Sequence, residues 1–266
     1  MTTVHTLASG SSGNALVCSC GGTHLLVDAG ISCRRITASL RELGLAPADL
    51  DAIFITHTHT DHISGLQTLV KHCAVPLYGS GPTLRGLCYR LAGIEDRCRE
   101  VRSGEAVDFD GCAVTAFPTS HDAPGACGYR VDTGDGSVGI LTDTGYVTDE
   151  ATEILPGVDL AVLEANHDVE TLRSGPYPYY LKERILGDQG HLSNEVSARF
   201  AVTLAEAGAS SIVLAHLSRE NNTPAMARNA VETALSAAGL APELSVAPRD
   251  SLGPTHIVSR RAVCRK

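Results

Sequence analysis

Apolar and polar positions along this chain follow two rhythms, a strand-like alternation and a helix-like spacing. Val4 to Ala8, Ala15 to Cys18 and Thr23 to Val27 are short β-like runs. The Ser9-Gly10-Ser11-Ser12-Gly13-Asn14 turn and the Gly21-Gly22 turn separate them. From Ile31 to Leu43 the apolar spacing becomes helical, and Gly44 is placed to end that helix. Ala52 to Ile55 is an apolar run that predicts a buried strand. Helices are predicted over Ile63 to Val70 and Pro82 to Leu91, with a strand from Val75 to Tyr78 between them. Ala106 to Leu141 is β-rich, with turns at Asp110-Gly111 and Gly134-Asp135-Gly136. Strands at Val158 to Leu163 and Ile212 to Ala215 then alternate with helices at Ser193 to Ala207 and Pro224 to Ala238. Ile257-Val258 is a last strand. The order is meander, β/α, meander, β/α. It predicts two sheets packed together with helices outside, and with no linker or repeat the chain is read as one domain over residues 1–266.

Composition narrows the function classes. The chain has 266 residues, enough for a sizeable core, with 43% hydrophobic and 19% charged residues, as in an ordinary globular protein. Aromatic residues are only 4% and Trp is absent, which argues against a general single-strand binder built on stacked rings. The formal net charge of -9 weakens a nucleic-acid reading, but two bound divalent cations would reverse the field locally. The nine Cys are scattered and form no Cys-x-x-Cys pair, so they are read as reduced thiols without disulfide partners. No basic stretch precedes an apolar run at the N-terminus, and no apolar run reaches membrane-spanning length. A cytoplasmic location with no membrane partner is the expectation.

The chemistry concentrates at strand ends. His57, His59, Asp61 and His62 fall in one hexapeptide directly after the Ala52 to Ile55 strand. Imidazole and carboxylate suit zinc, manganese or iron. In extended chain His57 and His59 point to one side and can grip one ion, while Asp61 and His62, where the chain turns into a helix, can face a neighbouring one. Ser120-His121-Asp122, Leu141-Thr142-Asp143-Thr144-Gly145 and Ala215-His216-Leu217-Ser218 each place a ligand type after an apolar strand. Sites in layered α/β folds collect at such ends. Each is bland alone; the repetition makes chance a poor account.

The His-x-His-x-Asp-His motif followed by a separate His, Asp and His resembles the metallo-β-lactamase superfamily, over essentially the whole chain. Longer motifs are similar to its YycJ/WalJ-like hydrolases: Ser9 to Asn14, Val27-Asp28-Ala29-Gly30, Thr142-Asp143-Thr144-Gly145-Tyr146, Glu164-Ala165-Asn166-His167-Asp168, Leu186 to Glu195, and His216 to Asn222. The resemblance implies an αββα four-layer sandwich, an α/β fold with metals at one edge. It implies two divalent ions, with His57, His59 and His121 on one, Asp61, His62 and His216 on the other, and Asp143 bridging. Glu164 and His191 match a glutamate and a histidine that related ribonuclease Z enzymes place near the scissile phosphate. The carboxylate would orient the ring as a proton donor to the leaving oxygen.

The implied activity is a metal-dependent phosphodiesterase or exonuclease on DNA, using hydroxide shared by the ions, with Asp61 holding the nucleophile's proton. Two rivals use the same ligands: hydrolysis of a small phosphodiester, thioester or lactone, and RNA processing. The Glu164–His191 pair favours phosphoester chemistry, and the stretch between Asp143 and His216 is too short for a large inserted clamp domain. Bridging Asp143 counts against a β-lactamase, and the complete ligand set against an inactive binding module. Around the centre, Ser12 and Asn14 in their turn, Ser193 and Asn194 at a helix start, and Arg219 are expected to meet substrate. Asp28 is expected to brace the metal loops. Arg173, Lys182 and Arg184 are read equally as an approach groove or a solvated helix face. His167 is read as a helix-start residue or a functional one. Oligomeric state is left open by the sequence.

Overall fold

The computed structural model describes residues 1–260. The strands are β1 (Thr2–Ala8), β2 (Ala15–Cys20), β3 (Thr23–Val27), β4 (Ala52–Phe54), β5 (Leu77–Gly79), β6 (Cys98–Glu100), β7 (Ala106–Phe109), β8 (Cys112–Pro118), β9 (Cys127–Thr133), β10 (Ser137–Leu141), β11 (Leu160–Glu164), β12 (Ser211–Ala215), β13 (Glu243–Val246) and β14 (His256–Val258). The helices are α1 (Cys33–Glu42), α2 (Thr60–Ile63), α3 (Leu66–Leu69), α4 (Gly81–Arg90), α5 (Asp149–Ile154), α6 (Val169–Ser174), α7 (Tyr179–Leu186), α8 (Asn194–Glu206) and α9 (Pro224–Ala237).

The strands make two sheets, ordered β14-β1-β2-β3-β4-β5-β6 and β13-β12-β11-β10-β9-β8-β7. Each is antiparallel where the chain meanders and parallel where helices intervene. β3 to β6 run parallel in one sheet, and β10 to β13 in the other.

Alternation along the strands builds the layers. In β4, Ala52 and Phe54 enter the core between the sheets, whereas Ile53 faces the helical side. In β11, Leu160 and Val162 face the other sheet, and Ala161 and Leu163 meet Phe200, Ala201 and Leu204 of α8. Three apolar cores between four layers result, the αββα sandwich expected from the sequence. Each fully buried Leu, Ile or Phe contributes about 1.5–3 kcal/mol, which lets these cores carry local strain at the edge.

The predicted helix over residues 63–70 is instead two short turns, α2 and α3. The Gly65 N–H leaves the helical pattern to bond Ala29 O at 2.8 Å, and a Cβ on Gly65 would lie 2.0 Å from Ile31 O. Docking against the β3–α1 loop thus overrides local propensity. Helices α5 and α7 and strands β6 and β13 are not apparent in the pattern, being short and half exposed, whereas the helix start at His167 and Asp168 is α6. Cys18, Cys20, Cys33, Cys73, Cys88, Cys98, Cys112 and Cys127 are free thiols, and Cys264 lies outside the described residues. No helix among the described residues is long and apolar enough to cross a membrane.

Candidate metal centre

The parallel strands of both sheets end at one edge, and the residues just past those ends meet there. Asp28 follows β3, His57 to His62 follow β4, His121 follows β8, Asp143 follows β10, Glu164 ends β11 and His216 follows β12. Three of these residues carry left-handed backbone without being glycine: Asp28 (φ 61°), Asp143 (φ 57°) and His216 (φ 56°). Such a conformation costs about 1–3 kcal/mol per residue and persists only where its surroundings over-determine it. Here it turns each side chain inward at the point where the strand stops.

Candidate ligand atoms fall into overlapping groups, each with its atoms within 4.8 Å of one another: His57, His59 and His121; Asp61, His62 and His216; and His57, His62 and Asp143. The two triads expected from the sequence are therefore brought together, and Asp143 stands between them. One Asp143 oxygen lies 3.3 Å from His62 Nε2, and the other 3.5 Å from His216 Nε2 and 3.8 Å from His121 Nε2. A fourth group joins Asp143, Glu164, His191 and His216.

These residues fit a divalent cation on their own chemistry. His57 Nε2 and Asp143 Oδ2 are buried without a hydrogen-bond partner, an arrangement that costs about 1–3 kcal/mol per group unless something satisfies it. The donors are imidazole and carboxylate with no thiolate, the set that takes borderline and harder cations.

The charges are set against one another. Burial draws His57 well below the usual histidine range, and His62 pushes the same way; burial likewise lowers His59 and His121. Burial also opposes protonation of His62, yet Asp143 and Asp28 hold it well above the usual range. Despite burial, Asp143, Asp61 and Glu164 raise His216 to about 10. Asp143, though buried, is held far below the carboxylate range by His216, His62 and His57. Cations arriving here would displace protons from His62 and His216 and take over their role.

A ring of supporting groups orients the ligands. Asp28 accepts from Thr56 N at 2.9 Å, from Thr56 Oγ1 at 2.9 Å and from His62 Nδ1 at 2.8 Å, so it braces the metal loops as expected. Thr56 Oγ1 also lies 3.1 Å from His57 Nδ1. His121 Nδ1 bonds Gly190 O at 3.1 Å. Asp122 Oδ1 sits 3.4 Å from His59 Nε2, and its other oxygen accepts from Arg184 Nε. Arg184 therefore ties α7 to the metal loops, and Lys182 donates to the carbonyls of Arg173 and Gly175 at 2.6 and 2.7 Å. Thr56 and Asp122 had no role in the sequence reading. The only hint was their adjacency to His57 and His121.

Glu164 is fully buried and uses both oxygens. Oε1 accepts from His191 Nδ1 and His216 Nδ1, each at 2.8 Å; Oε2 accepts from Thr144 N at 3.1 Å and Leu192 N at 3.2 Å. His191 and His216 outweigh the burial penalty and bring its carboxyl down to about 2.

Several residues expected to meet substrate have structural duties. The Asn14 amide bonds Gly10 O at 3.1 Å, reaches Asp61 Oδ2 at 3.4 Å and lies 3.1 Å from His62 Nε2. Backbone N–H groups of the turn are also committed, Asn14 N to Asp61 O at 2.7 Å and Gly13 N to Gly10 O at 3.0 Å. The turn thus splints the Asp61 loop. Gly30 completes the splint, since a Cβ there would lie 1.6 Å from Asp61 O. Ser12 is exposed on the turn. Asn194 pairs its amide with that of Asn222 in both directions, at 3.0 and 2.8 Å, and Ser193 caps α8 by accepting from Val196 N. Asp168 caps α6, and His167 is buried with both ring nitrogens unpartnered. Arg219 is exposed and pairs with Asp250.

Two sheets packed face to face, with a His- and Asp-lined metal centre at one edge of the sandwich, define a class of hydrolases. The chain belongs to the beta-lactamase superfamily, whose domain matches residues 23–217, and it is a metal-dependent hydrolase of the metallo-β-lactamase fold. It is 40% identical over 237 residues to the exodeoxyribonuclease WalJ of Streptococcus pneumoniae, covering 88% of each chain. It is 36% identical over 234 residues to the exodeoxyribonuclease YycJ of Bacillus anthracis, covering 88% of this chain and 89% of that one. The solved metallo-beta-lactamase fold protein YhfI of Bacillus subtilis shares the fold with a TM-score of 0.70 at 19% identity, covering 95% of this chain and 98% of that one.

Proposed function

We propose that this chain is a single-domain exonuclease that hydrolyses phosphodiester bonds in DNA in the cytoplasm, holding two divalent ions of zinc or manganese, with iron also suited to the donors. The observation that carries the reading is the pair of ligand triads sharing Asp143, with His191 anchored beside them on Glu164. The likeness to two exodeoxyribonucleases over most of the chain supports DNA as the substrate.

His57, His59 and His121 would hold one ion, Asp61, His62 and His216 the other, with Asp143 placed between the two triads. Bound divalent ions supply Lewis acidity toward phosphoryl oxygens and lower the pKa of water. The protein's residues do the rest. Asp61, whose side chain is 24% exposed, presents a carboxylate at the cleft to hold the proton of the attacking water in a hydrogen bond. Its carboxyl is held below the ordinary range, against burial, by His216 and His62, so it is ionised and accepts that bond. Glu164 fixes His191 through Nδ1, which leaves Nε2 for the oxygen of the leaving nucleotide. Proton transfer there ends the step without a covalent intermediate on the enzyme.

Incubating the metal-loaded protein with end-labelled single- and double-stranded DNA and RNA tests the reading. Release of single nucleotides from DNA ends is expected. Cleavage confined to RNA, or turnover only of a small diester, thioester or lactone, would overturn it.

A further inference from the structure

A nuclease must hold the phosphates flanking the one it cuts. Beside the Asp61–His62–His216 side of the centre, two arginines approach one carboxylate and a third lies next to it in the chain. Arg219, three residues past His216, pairs with Asp250 Oδ2 at 3.2 Å. Arg35, on α1, approaches Asp250 Oδ1 at 4.0 Å. Arg249 donates to Ser218 O at 3.2 Å, and its side chain lies across Gly10, with Cγ 3.4 Å from where a Cβ would stand.

One turn connects this cluster to the metal residues. Ser9 Oγ accepts from His216 N at 2.8 Å, Gly10 N donates to Asn14 Oδ1 at 2.9 Å, and Asn14 reaches Asp61 and His62. Exposed Ser11 and Ser12 sit on that same turn.

Asp250 offsets only one of the three positive charges. Arg35 and Arg219 have side chains 37% and 60% exposed, so their ion pairs contribute little to stability, about 0–1 kcal/mol each. Placing Arg35 and Arg219 together in a chain of formal net charge -9 therefore brings little structural return. The planar donor fork of arginine matches a phosphate in two-point contact.

We propose that Arg35, Arg219 and Arg249 bind the DNA backbone phosphate adjacent to the scissile one, on the Asp61–His216 side of the cleft. The assignment rests on the DNA-cleaving reading above. It gives an acidic protein a local attraction for a strand, one turn away from the metal residues.

The test compares the metal-loaded wild type with Arg35→Gln/Arg219→Gln and Arg35→Lys/Arg219→Lys. Arg249 is left in place because its bond to Ser218 O gives it a structural share. Binding of fluorescein-labelled single-stranded oligodeoxynucleotides is followed by anisotropy over a range of salt, with kcat and KM on a dinucleotide and a decanucleotide. A dinucleotide has no flanking phosphate. The glutamine pair should flatten the slope of log affinity against log salt by about 0.7, the value for one lost phosphate contact on a single strand. Its rise in KM should be about tenfold larger on the decanucleotide than on the dinucleotide. The lysine pair should restore the salt slope. An unchanged slope and KM would overturn the site, and equal losses on both lengths would move the arginines onto the reacting phosphate and overturn it too. A wild type that binds and cuts neither oligonucleotide, while hydrolysing a nitrophenyl diester, would sink the DNA reading and this site with it.

Discussion

His191 and His216 are tied to the same oxygen of Glu164, each at 2.8 Å. One buried carboxylate thereby sets the orientation of a candidate metal ligand and of the candidate proton donor together. It lies at the end of β11, between the strand that delivers Asp143 and the strand that delivers His216. Position and chemistry are coupled through that oxygen.

Glu164→Gln should separate the two roles. The amide keeps the shape but loses the charge, and it presents an N–H₂ to one of the groups that now donate. Loss of such a supporting carboxylate typically costs about 10–100-fold in metal affinity. If His216 holds one ion and His57, His59 and His121 the other, metal content after dialysis against graded chelator should fall for the His216 ion first. Unchanged retention of both ions would mean that the carboxylate does not support the metal centre.

His191→Ala should keep both metals and lose about 10²–10⁴ in rate on ordinary diesters, the usual span for a general acid. A nitrophenolate leaving group needs no proton, so the loss should shrink on nitrophenyl diesters. Elemental analysis and the two rates are read together. A missing ion would make His191 a ligand, which its grouping with Asp143, Glu164 and His216 permits. Equal losses on both substrates would point to phosphate binding.

Asp143→Ala should abolish turnover and reduce occupancy of both ions, because both would lose the carboxylate between them. Asp143 also sits at φ 57°, a conformation that Asn tolerates far better than Ala. Asp143→Asn should therefore avoid the added backbone strain of the Ala variant and still fail to hold two metals. Near-normal rate and two metals in the Asn variant would make the charge a bystander.

Acid should destabilise the fold partly through His167. Burial pushes its pKa down to about 4 from an ordinary 6.5, so the folded ring stays neutral while the unfolded ring takes up a proton. Stability is therefore full above about pH 6.5 and is lost progressively as pH falls toward 4, by about 3 kcal/mol in all. Urea midpoints measured from pH 8 to pH 5 with chelator present, so that metal release does not contribute, should decline less steeply in His167→Gln. Parallel declines in the two proteins would assign the effect to other groups.

What the sequence determined by itself is the order of elements and the stations of the chemistry. The apolar run Ala52 to Ile55 followed by His57, His59, Asp61 and His62 already puts ligand types at a strand end. Asp143 and His216 repeat that grammar after β10 and β12, because alternation and ligand identity are local properties. Partner choice is not local, and only the tertiary structure decided it. Nothing near Thr56 in the chain indicates that its hydroxyl serves Asp28 and His57 at once. The α2–α3 break at Gly65, the commitment of Asn14 to the Asp61 loop, the pairing of Asp122 with His59 and the approach of Arg35 and Arg219 to Asp250 all join segments far apart in sequence. They depend on how the two sheets pack. Glu164 shows the boundary: resemblance linked it to His191, but its hold on His216 required β11 and β12 to lie side by side in register, Glu164 opposite Ala215.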